Sequence, residues 1–177
     1  MKKVISLTLI IAVLLCTCLL TACKKTDVNA DVADTETPTA DEYFFFNLLS
    51  DGTYEISAKG IYDGETKRIV IPSKHDGKLV SAVSGHGFKD QQNIEEVVFP
   101  ASIKTISLSA FYGCTSLQTV TIPASVTDIK YLAFYGCTHL TEVHYGGTKK
   151  QWKELAQSGG FGSDPTVYCS DGTIAAK

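Results

Sequence analysis

Two stretches of the chain, IEEVVFPASIKTISLSAFYGC at 94–114 and LQTVTIPASVTDIKYLAFYGC at 117–137, carry one side-chain pattern at a single fixed spacing. Phenylalanine stands at 88, 111 and 134, and AFYGCT occurs unchanged at 110–115 and 133–138. A degenerate unit precedes them, opening with IP at 71–72 and holding an insertion around 75–77. Because so many matches share one period, the sequence indicates a protein built from repeats.

Each repeat has the features of one coil of a solenoid. Residues 117–122 alternate apolar and polar side chains, which predicts a short strand with one buried face. Pro123 ends that strand because proline cannot donate to a β-ladder. Residues 125–129 then return as a second extended piece, and AFYGC makes a tight turn. One coil cannot bury its own apolar edge, so the coils must stack and both ends of the stack need caps.

The segments that flank the repeats are suited to capping. Residues 43–49 and 53–58 are β-prone runs around an Asp-Gly pair, which is a strong hairpin signal. Residues 149–157 contain helix formers with apolar side chains on one face, and residues 166–169 predict a last strand. The period lies in the range of leucine-rich repeats. We therefore predict a mainly β fold, a short leucine-rich-repeat solenoid of about three coils of about 23 residues, with an N-terminal β-hairpin cap and a C-terminal helix–strand cap.

The repeats closely resemble the BspA-like, or Treponema-type, leucine-rich repeats, whose pattern is L-x-x-V-x-I-P-x-S-V-x-x-I-x-x-x-A-F-x-x-C-x. Residues 117–137 follow this pattern throughout, and residues 94–114 follow it with other apolar residues at three positions. Residues 84–91 depart from it, since they lack the alanine and the cysteine of the turn. The resemblance implies a surface-exposed binding protein, associated with adhesion to host matrix proteins or cells, and carries no catalytic residue set.

The N-terminal residues are typical of a targeting segment. Lys2 and Lys3 precede an uncharged, largely aliphatic run at 4–22, as in a secretory signal peptide. LTAC at 20–23 resembles the lipobox of bacterial lipoproteins, in which the cysteine carries the lipid. We therefore expect cleavage before Cys23 and lipidation of its thiol, which would anchor the protein to the membrane of a bacterial cell envelope, facing outward. An uncleaved transmembrane helix is the alternative.

The predicted organisation has five parts: a lipoprotein signal peptide at 1–22, a lipidated flexible tether at 23–42, the hairpin cap at 43–70, the repeats at 71–145 and the C-terminal cap at 146–177. The tether is rich in Asp, Glu, Thr and Ala and has no aromatic residue before Tyr43, so it cannot bury enough apolar surface to become ordered. Removal of the signal peptide would leave 14 basic and 19 acidic side chains. This balance argues against a nucleic-acid partner, which would require a basic patch.

Few side chains in the sequence are candidates for catalysis, metal binding or disulfide formation. Cys114 and Cys137 fall at one repeat position, where they would form either a disulfide or a buried ladder of reduced thiols. The histidines form no close-spaced set with cysteines of the kind that zinc sites use. Hydrolase, metalloprotease and phosphate-loop motifs are absent from the sequence. Trp152 is either a platform for a sugar or partner or a packing residue of the cap, and Cys169 is expected in the cap core. We therefore expect no enzyme, no metal and no cofactor.

The outward strand positions form the predicted interaction surface. They recur once in each repeat, in registered rows, and would line the sheet with which a solenoid usually binds partners. The leading hypothesis is a non-catalytic lipoprotein that presents an adhesion-type surface to an unknown protein, such as a host matrix or cell-surface protein. The alternatives are carbohydrate capture, which a solvent-accessible Trp152 beside Tyr145 or Tyr168 would favour, and a structural envelope role. The candidate residues are Glu96, Val98, Thr119, Thr121, Glu142 and His144.

Overall fold

The computed structural model describes residues 36–59 and 66–177. The predicted signal peptide, Cys23 and the tether as far as residue 35 lie outside the described residues. Within the described part, the chain has one α-helix, α1 (Lys149–Leu155), and 3₁₀ turns at Asp41–Tyr43 and Ala156–Ser158. The strands are β1 (Phe44–Leu48), β2 (Tyr54–Ala58), β3 (Arg68–Val70), β4 (Lys74–His75), β5 (Lys78–Val83), β6 (Glu96–Val98), β7 (Thr105–Ile106), β8 (Thr119–Ile122), β9 (Asp128–Ile129), β10 (Glu142–Tyr145), β11 (Thr166–Cys169) and β12 (Gly172–Ile174).

The strands form two sheets that run along the stack of coils. One has the order β3-β6-β8-β10-β11-β12, and all its neighbours are parallel except β11 and β12. The other has the order β1-β2-β5-β7-β9, with β4 paired to β5. We call these the long sheet and the short-strand sheet. The predicted leucine-rich-repeat solenoid is confirmed, and it comprises about five turns.

The solenoid is longer than the three coils predicted because the segments assigned to the caps contribute strands to it. β3 pairs in register with β6, and β11 pairs in register with β10, so both extend the parallel ladder. Neither segment carries the full repeat pattern, and the chain between β10 and β11 is occupied by α1 and a loop. A fixed period therefore could not reveal them.

A ladder of phenylalanine rings runs through the core. Phe88, Phe111 and Phe134 are fully buried, and their successive ring centroids lie 4.8 and 5.3 Å apart in nearly parallel planes. Phe44 of β1 adds to the ladder at one end, 6.1 Å from Phe88, and Phe161 adds at the other, 4.9 Å from Phe134. One residue of each repeat thus continues a single column, as the fixed spacing of the phenylalanines predicts.

The tight turn survives in the repeat that lacks its sequence signature. Gly113 and Gly136 occupy one turn position with φ of 72° and 78°, and Asp90 takes the same place with φ of 57°. Aspartate tolerates this left-handed conformation better than most residues. A Cβ at Gly113 would lie 2.2 Å from an Asp90 carboxylate oxygen and would displace that side chain, and the positive φ of Gly113 itself favours glycine. The departure at 84–91 therefore changes side chains but keeps the backbone path.

Cys114 and Cys137 form a buried ladder of reduced thiols. Both are free in the structure, and the Sγ of Cys114 donates to the Phe88 carbonyl oxygen at 3.0 Å. The Sγ of Cys137 donates to the Phe111 carbonyl oxygen at 3.2 Å. The neighbouring Cys137 thiol and burial raise the pKa of Cys114 well above its usual range, so this thiol stays protonated. Each cysteine therefore links its own coil to the preceding coil by a hydrogen bond.

Both ends of the solenoid carry the predicted caps. β1 and β2 form an antiparallel hairpin at the N-terminal end. At the C-terminal end Thr148 and Gln151 form a capping box that starts α1, which satisfies two main-chain donors at the helix start. Trp152 on this helix is only 6% exposed, and its ring centroid lies 5.3 Å from the ring centroids of both Tyr145 and Phe161. Trp152 is therefore a packing residue of the cap, and the platform interpretation is wrong.

The last part of the predicted tether is ordered against the solenoid. Thr39 donates its N–H to the Val70 carbonyl and accepts the Val70 N–H on its hydroxyl, both at 2.9 Å. Glu36 pairs with Arg68. These contacts cover the outer edge of β3, whose main-chain groups would otherwise be unpaired. The expected boundary at residue 42 is therefore wrong for residues 36–42, because composition does not reveal that an edge strand supplies hydrogen-bond partners.

Within residues 36–59 and 66–177, no helix is both long enough and apolar enough to span a bilayer.

Candidate interaction surface

The long sheet brings the six candidate residues together on its outward face. Val97, Val120 and Val143, the central residues of β6, β8 and β10, are fully buried, so their neighbours in each strand point outward. The strands pair without a register shift, which generates two rows across the sheet. One row is Glu96, Thr119 and Glu142, and the other is Val98, Thr121 and His144.

One of the six candidates is not accessible. Val98 is 1% exposed and packs with Val70, its register partner on β3, in a small apolar pair outside the main core. The expectation that Val98 contributes to a solvated binding face is therefore wrong. Two facing valines on adjacent strands shield each other, an effect that the repeat pattern cannot show because β3 lies outside that pattern.

The charge of Glu96 is already matched within the chain. Its carboxylate accepts from the Arg68 Nε at 2.8 Å, and Arg68 also contacts Glu36. Next to it, Lys67 pairs with Glu95 at 2.8 Å. This end of the face is thus a mixed-charge surface whose groups are internally paired, and it offers a partner little free charge.

The opposite end of the face is more open and has a different chemistry. Thr119, Thr121, Glu142 and His144 are all partly exposed there. The Nε2 of His144 lies 3.3 Å from a Glu142 carboxylate oxygen. The face therefore combines hydroxyl groups, a carboxylate and an imidazole within two adjacent strands, β8 and β10.

Tyr168 extends this surface by one strand, whereas the sequence analysis considered it only as an aromatic neighbour of Trp152 and did not place it on the sheet. The residue pairs in register with His144, and the two rings stack with centroids 5.0 Å apart and planes at 13°. Its neighbours Val167 and Cys169 are buried, so the alternation in TVYC at 166–169 was an available signal. The register was not available, because α1 and its loop separate β11 from β10.

We call the partly exposed set Thr119, Thr121, Glu142, His144 and Tyr168 the open face. Tyrosine and histidine offer flat, amphipathic contact area, and threonine and glutamate offer hydrogen-bonding groups. The described residues contain no group of three or more His, Cys, Asp or Glu side chains that could hold a metal ion. The arrangement is suited to contact with another molecule's surface.

A separate cleft of about 250 Å³ lies between α1 and the turn that follows β8. Polar and apolar side chains line the cleft. No cysteine or histidine of the described residues is among them. Burial raises the pKa of Tyr145 at its base, so that phenol stays protonated at neutral pH. The lining residues are Ala124, Val126, Thr127, Tyr145, Gln151, Glu154 and Leu155.

Comparison with known proteins places the repeats in context. The sequence model described as "BspA type Leucine rich repeat region" matches residues 52–157 in six copies. A solved leucine-rich-repeat protein of T. pallidum is 28% identical with a TM-score of 0.56, over 60% of this chain and 49% of that one. One from Bacteroides ovatus is 18% identical with a TM-score of 0.50, over 75% and 37%, and supports the fold alone. The chain thus spans half or less of these relatives. Among curated proteins, no match to the chain is found.

Proposed function

This chain belongs to the BspA-type leucine-rich-repeat family, and from that premise we propose that it is a non-catalytic surface lipoprotein whose open face binds another protein. Members of this family are generally bacterial surface proteins, and their repeats typically present protein-interaction surfaces. The partner we propose is a host matrix or cell-surface protein, so that the activity is adhesion. Membrane attachment would come from the lipid on Cys23.

The observation that carries the proposal is the arrangement of the open face. Its side chains stand in register on three neighbouring strands, over a fully buried valine row. Packing of that row fixes the strands, so the open face is held in one arrangement before any partner arrives. A pre-ordered surface loses less conformational entropy on binding than a flexible one.

The aromatic side chains of the open face favour a protein partner over a sugar. Carbohydrate capture at the open face would require a ring open to solvent there, and Trp152 and Tyr145 are 6% and 2% exposed. The exposed rings of Tyr131 and Tyr135 lie in the chain that follows β9 and are not part of the open face. Tyr168 is partly exposed, but one of its faces stacks on His144. Tyrosine is enriched in protein interfaces, and hydroxyl and carboxylate groups can form hydrogen bonds at their polar rim.

Attachment to the membrane is supported by the sequence alone. LTAC at 20–23 follows an aliphatic run of the length found in signal peptides. Residues 24–35 are polar and carry no aromatic side chain, which suits a spacer between a lipid and a folded domain.

Binding of the full-length protein to a panel of immobilised matrix proteins and glycans tests the proposal. Thr121→Arg places a bulky charge in the centre of the open face, and Thr105→Arg places the same group at a comparable outward position of the short-strand sheet. We expect Thr121→Arg to weaken binding at least about tenfold, which corresponds to about 1.4 kcal/mol, and Thr105→Arg to leave it unchanged. Equal effects of the two variants would rule out the open face, and binding to glycans alone would favour carbohydrate capture.

A further inference from the structure

The first strand of the short-strand sheet has an open edge. β1 pairs with β2 on one side, and it is the terminal strand of the sheet. Hydrogen bonds from Lys59 N to Tyr43 O and from Leu49 N to Thr53 O, both 2.8 Å, bracket the pairing. In an antiparallel pair, main-chain groups point alternately toward and away from the neighbour. The odd-numbered residues of β1 therefore bond to β2, and Phe44, Phe46 and Leu48 direct their main-chain groups outward.

In the part of the chain that the structure describes, this edge lacks the usual protection against pairing with another strand. Natural edge strands are blunted by charged side chains, proline, a bulge or a covering segment. β1 reads FFFNL and has neither a charge nor a proline. Phe45 is 56% exposed and Leu48 is 51% exposed. Among the described residues, the Phe44 N–H bonds to the Asp41 carbonyl, and no segment covers the outward groups of Phe46 and Leu48.

The contrast with the other sheet makes this exposure significant. At the same end of the solenoid, the outer edge of β3 is covered by Thr39, whose N–H and hydroxyl form two hydrogen bonds with the main chain of Val70, and Glu36 pairs with Arg68 beside it. Within residues 36–59 and 66–177, the chain thus covers one of its two N-terminal sheet edges and leaves the other open. An open, uncharged and apolar edge of five residues is a template for a further strand.

We propose that β1 pairs with the β1 strand of a second copy of this chain, in an antiparallel register centred on Phe46. In this register each Phe46 N–H donates to the Phe46 carbonyl of the other copy, and each Leu48 N–H donates to the other copy's Phe44 carbonyl. The outward residues at 44, 46 and 48 are symmetric about Phe46, so the edge is complementary to itself.

Side-chain chemistry agrees with this register. The exposed Leu48 points to the same side of the sheet as the buried Phe44, and pairing places it beside the other copy's Phe44. On the opposite side, the exposed Phe45 faces the other copy's Asn47. The Asn47 amide already donates to Glu55 at 2.8 Å, so it presents no unpaired donor to that ring. With no charged residue in β1, the two strands bring no like charges into contact.

Such a pair would join two solenoids end to end and continue the short-strand sheet through both copies. A contact of one strand is smaller than the roughly 1,600 Å² typical of a stable complex, so the association is weak in dilute solution. It becomes favourable where copies are held close together, and the pair then presents two open faces.

Cysteine cross-linking in cells tests the register directly. In the proposed pair, residue 45 of one copy lies opposite residue 47 of the other at a non-hydrogen-bonded site, where Cα atoms are about 4.5 Å apart and within disulfide range. Full-length chains carrying Phe45→Cys and Asn47→Cys, with different tags, are co-expressed and oxidised with diamide. We expect the mixed disulfide to exceed either homodimer severalfold. Leu79→Cys, at a residue 46% exposed elsewhere, and the unsubstituted chain, whose described cysteines are buried, should give no dimer.

Leu48→Pro provides the energetic test. It removes an outward N–H that takes no part in pairing with β2, so the mixed disulfide should fall about tenfold with an unchanged melting temperature. If this variant melts lower, Phe45→Glu, which alters only an exposed side chain, is instead introduced into the Asn47→Cys chain, and its mixed disulfide with the Phe45→Cys chain is read. Self-pairing is overturned if the mixed and homotypic pairs give equal disulfide yields, or if Leu79→Cys gives as much dimer as the mixed pair. Cross-links only to a different protein, or a disulfide yield that these variants do not change, would also overturn it.

Discussion

Replacement of Phe111 by alanine should remove most of the stability of the domain. The ring is fully buried in the phenylalanine ladder, stacked 4.8 Å from Phe88 and 5.3 Å from Phe134, with an edge-to-face contact to Phe99 at 5.7 Å. Truncation of a buried phenylalanine costs about 3–5 kcal/mol. Because the aromatic pairs are lost as well, we expect a value toward the upper end of that range. A domain of this size has about 5–15 kcal/mol in total.

Tyr112→Ala is the matched control because it changes the adjacent aromatic residue on the outside of the same turn. Tyr112 is partly exposed, stacks on Tyr135 at 5.7 Å and lies beneath the Lys89 ammonium at 5.5 Å. We expect a loss of about 1 kcal/mol, since little of its contact area is removed from water. Urea denaturation followed by circular dichroism measures both variants against the parent. Small and equal shifts of the two midpoints would refute the assignment of Phe111 to the core column, and with it the repeat period itself.

Three further predictions concern the termini and the thiol ladder. Cys23→Ala should abolish labelling by a radioactive fatty acid and leave the precursor uncleaved at that site; labelling as strong as that of the parent would exclude the lipobox assignment. Deletion of 36–42 should lower the melting temperature by several degrees because the edge of β3 loses two hydrogen bonds worth about 1 kcal/mol each, whereas deletion of 24–35 should have no such effect. Because the pKa of Cys114 is raised, the thiolate is scarce at pH 8, so iodoacetamide should modify Cys114 only after unfolding; labelling of the native protein at the rate of an exposed thiol would contradict the buried ladder.

The repeat pattern was sufficient to predict the fold, and particular residues show why. Val97, Val120 and Val143 recur at one spacing, and each is fully buried. When a residue must point inward in every coil, the sequence has to repeat it at the length of the coil. The alternation within each strand then assigns the outward positions, and it did so for Thr119 and Thr121.

The features that the sequence did not reveal depend on contacts outside the repeat. Val98 is buried because Val70, on a strand without the full signature, faces it. Tyr168 joins the open face because β11 returns to the sheet after a helix of seven residues and a loop. Composition assigned Thr39 to the spacer. Its role is to form hydrogen bonds with the main-chain N–H and carbonyl of Val70, and any polar segment of suitable shape can do this. Periodicity reports the contacts that recur, whereas these contacts each occur once.

The two cysteine hydrogen bonds carry a consequence for how proteins of this design change length. The bond from Cys114 to the Phe88 carbonyl and the bond from Cys137 to the Phe111 carbonyl are the same contact displaced by one coil. A coil whose turn carries this cysteine can therefore dock on a preceding coil whose turn carries the phenylalanine. Duplication or loss of one whole repeat unit leaves every junction chemically unchanged. A gene of this kind can lengthen or shorten its product in whole coils by recombination within the repeat, and the span of the exposed sheet becomes a property that evolves in discrete steps.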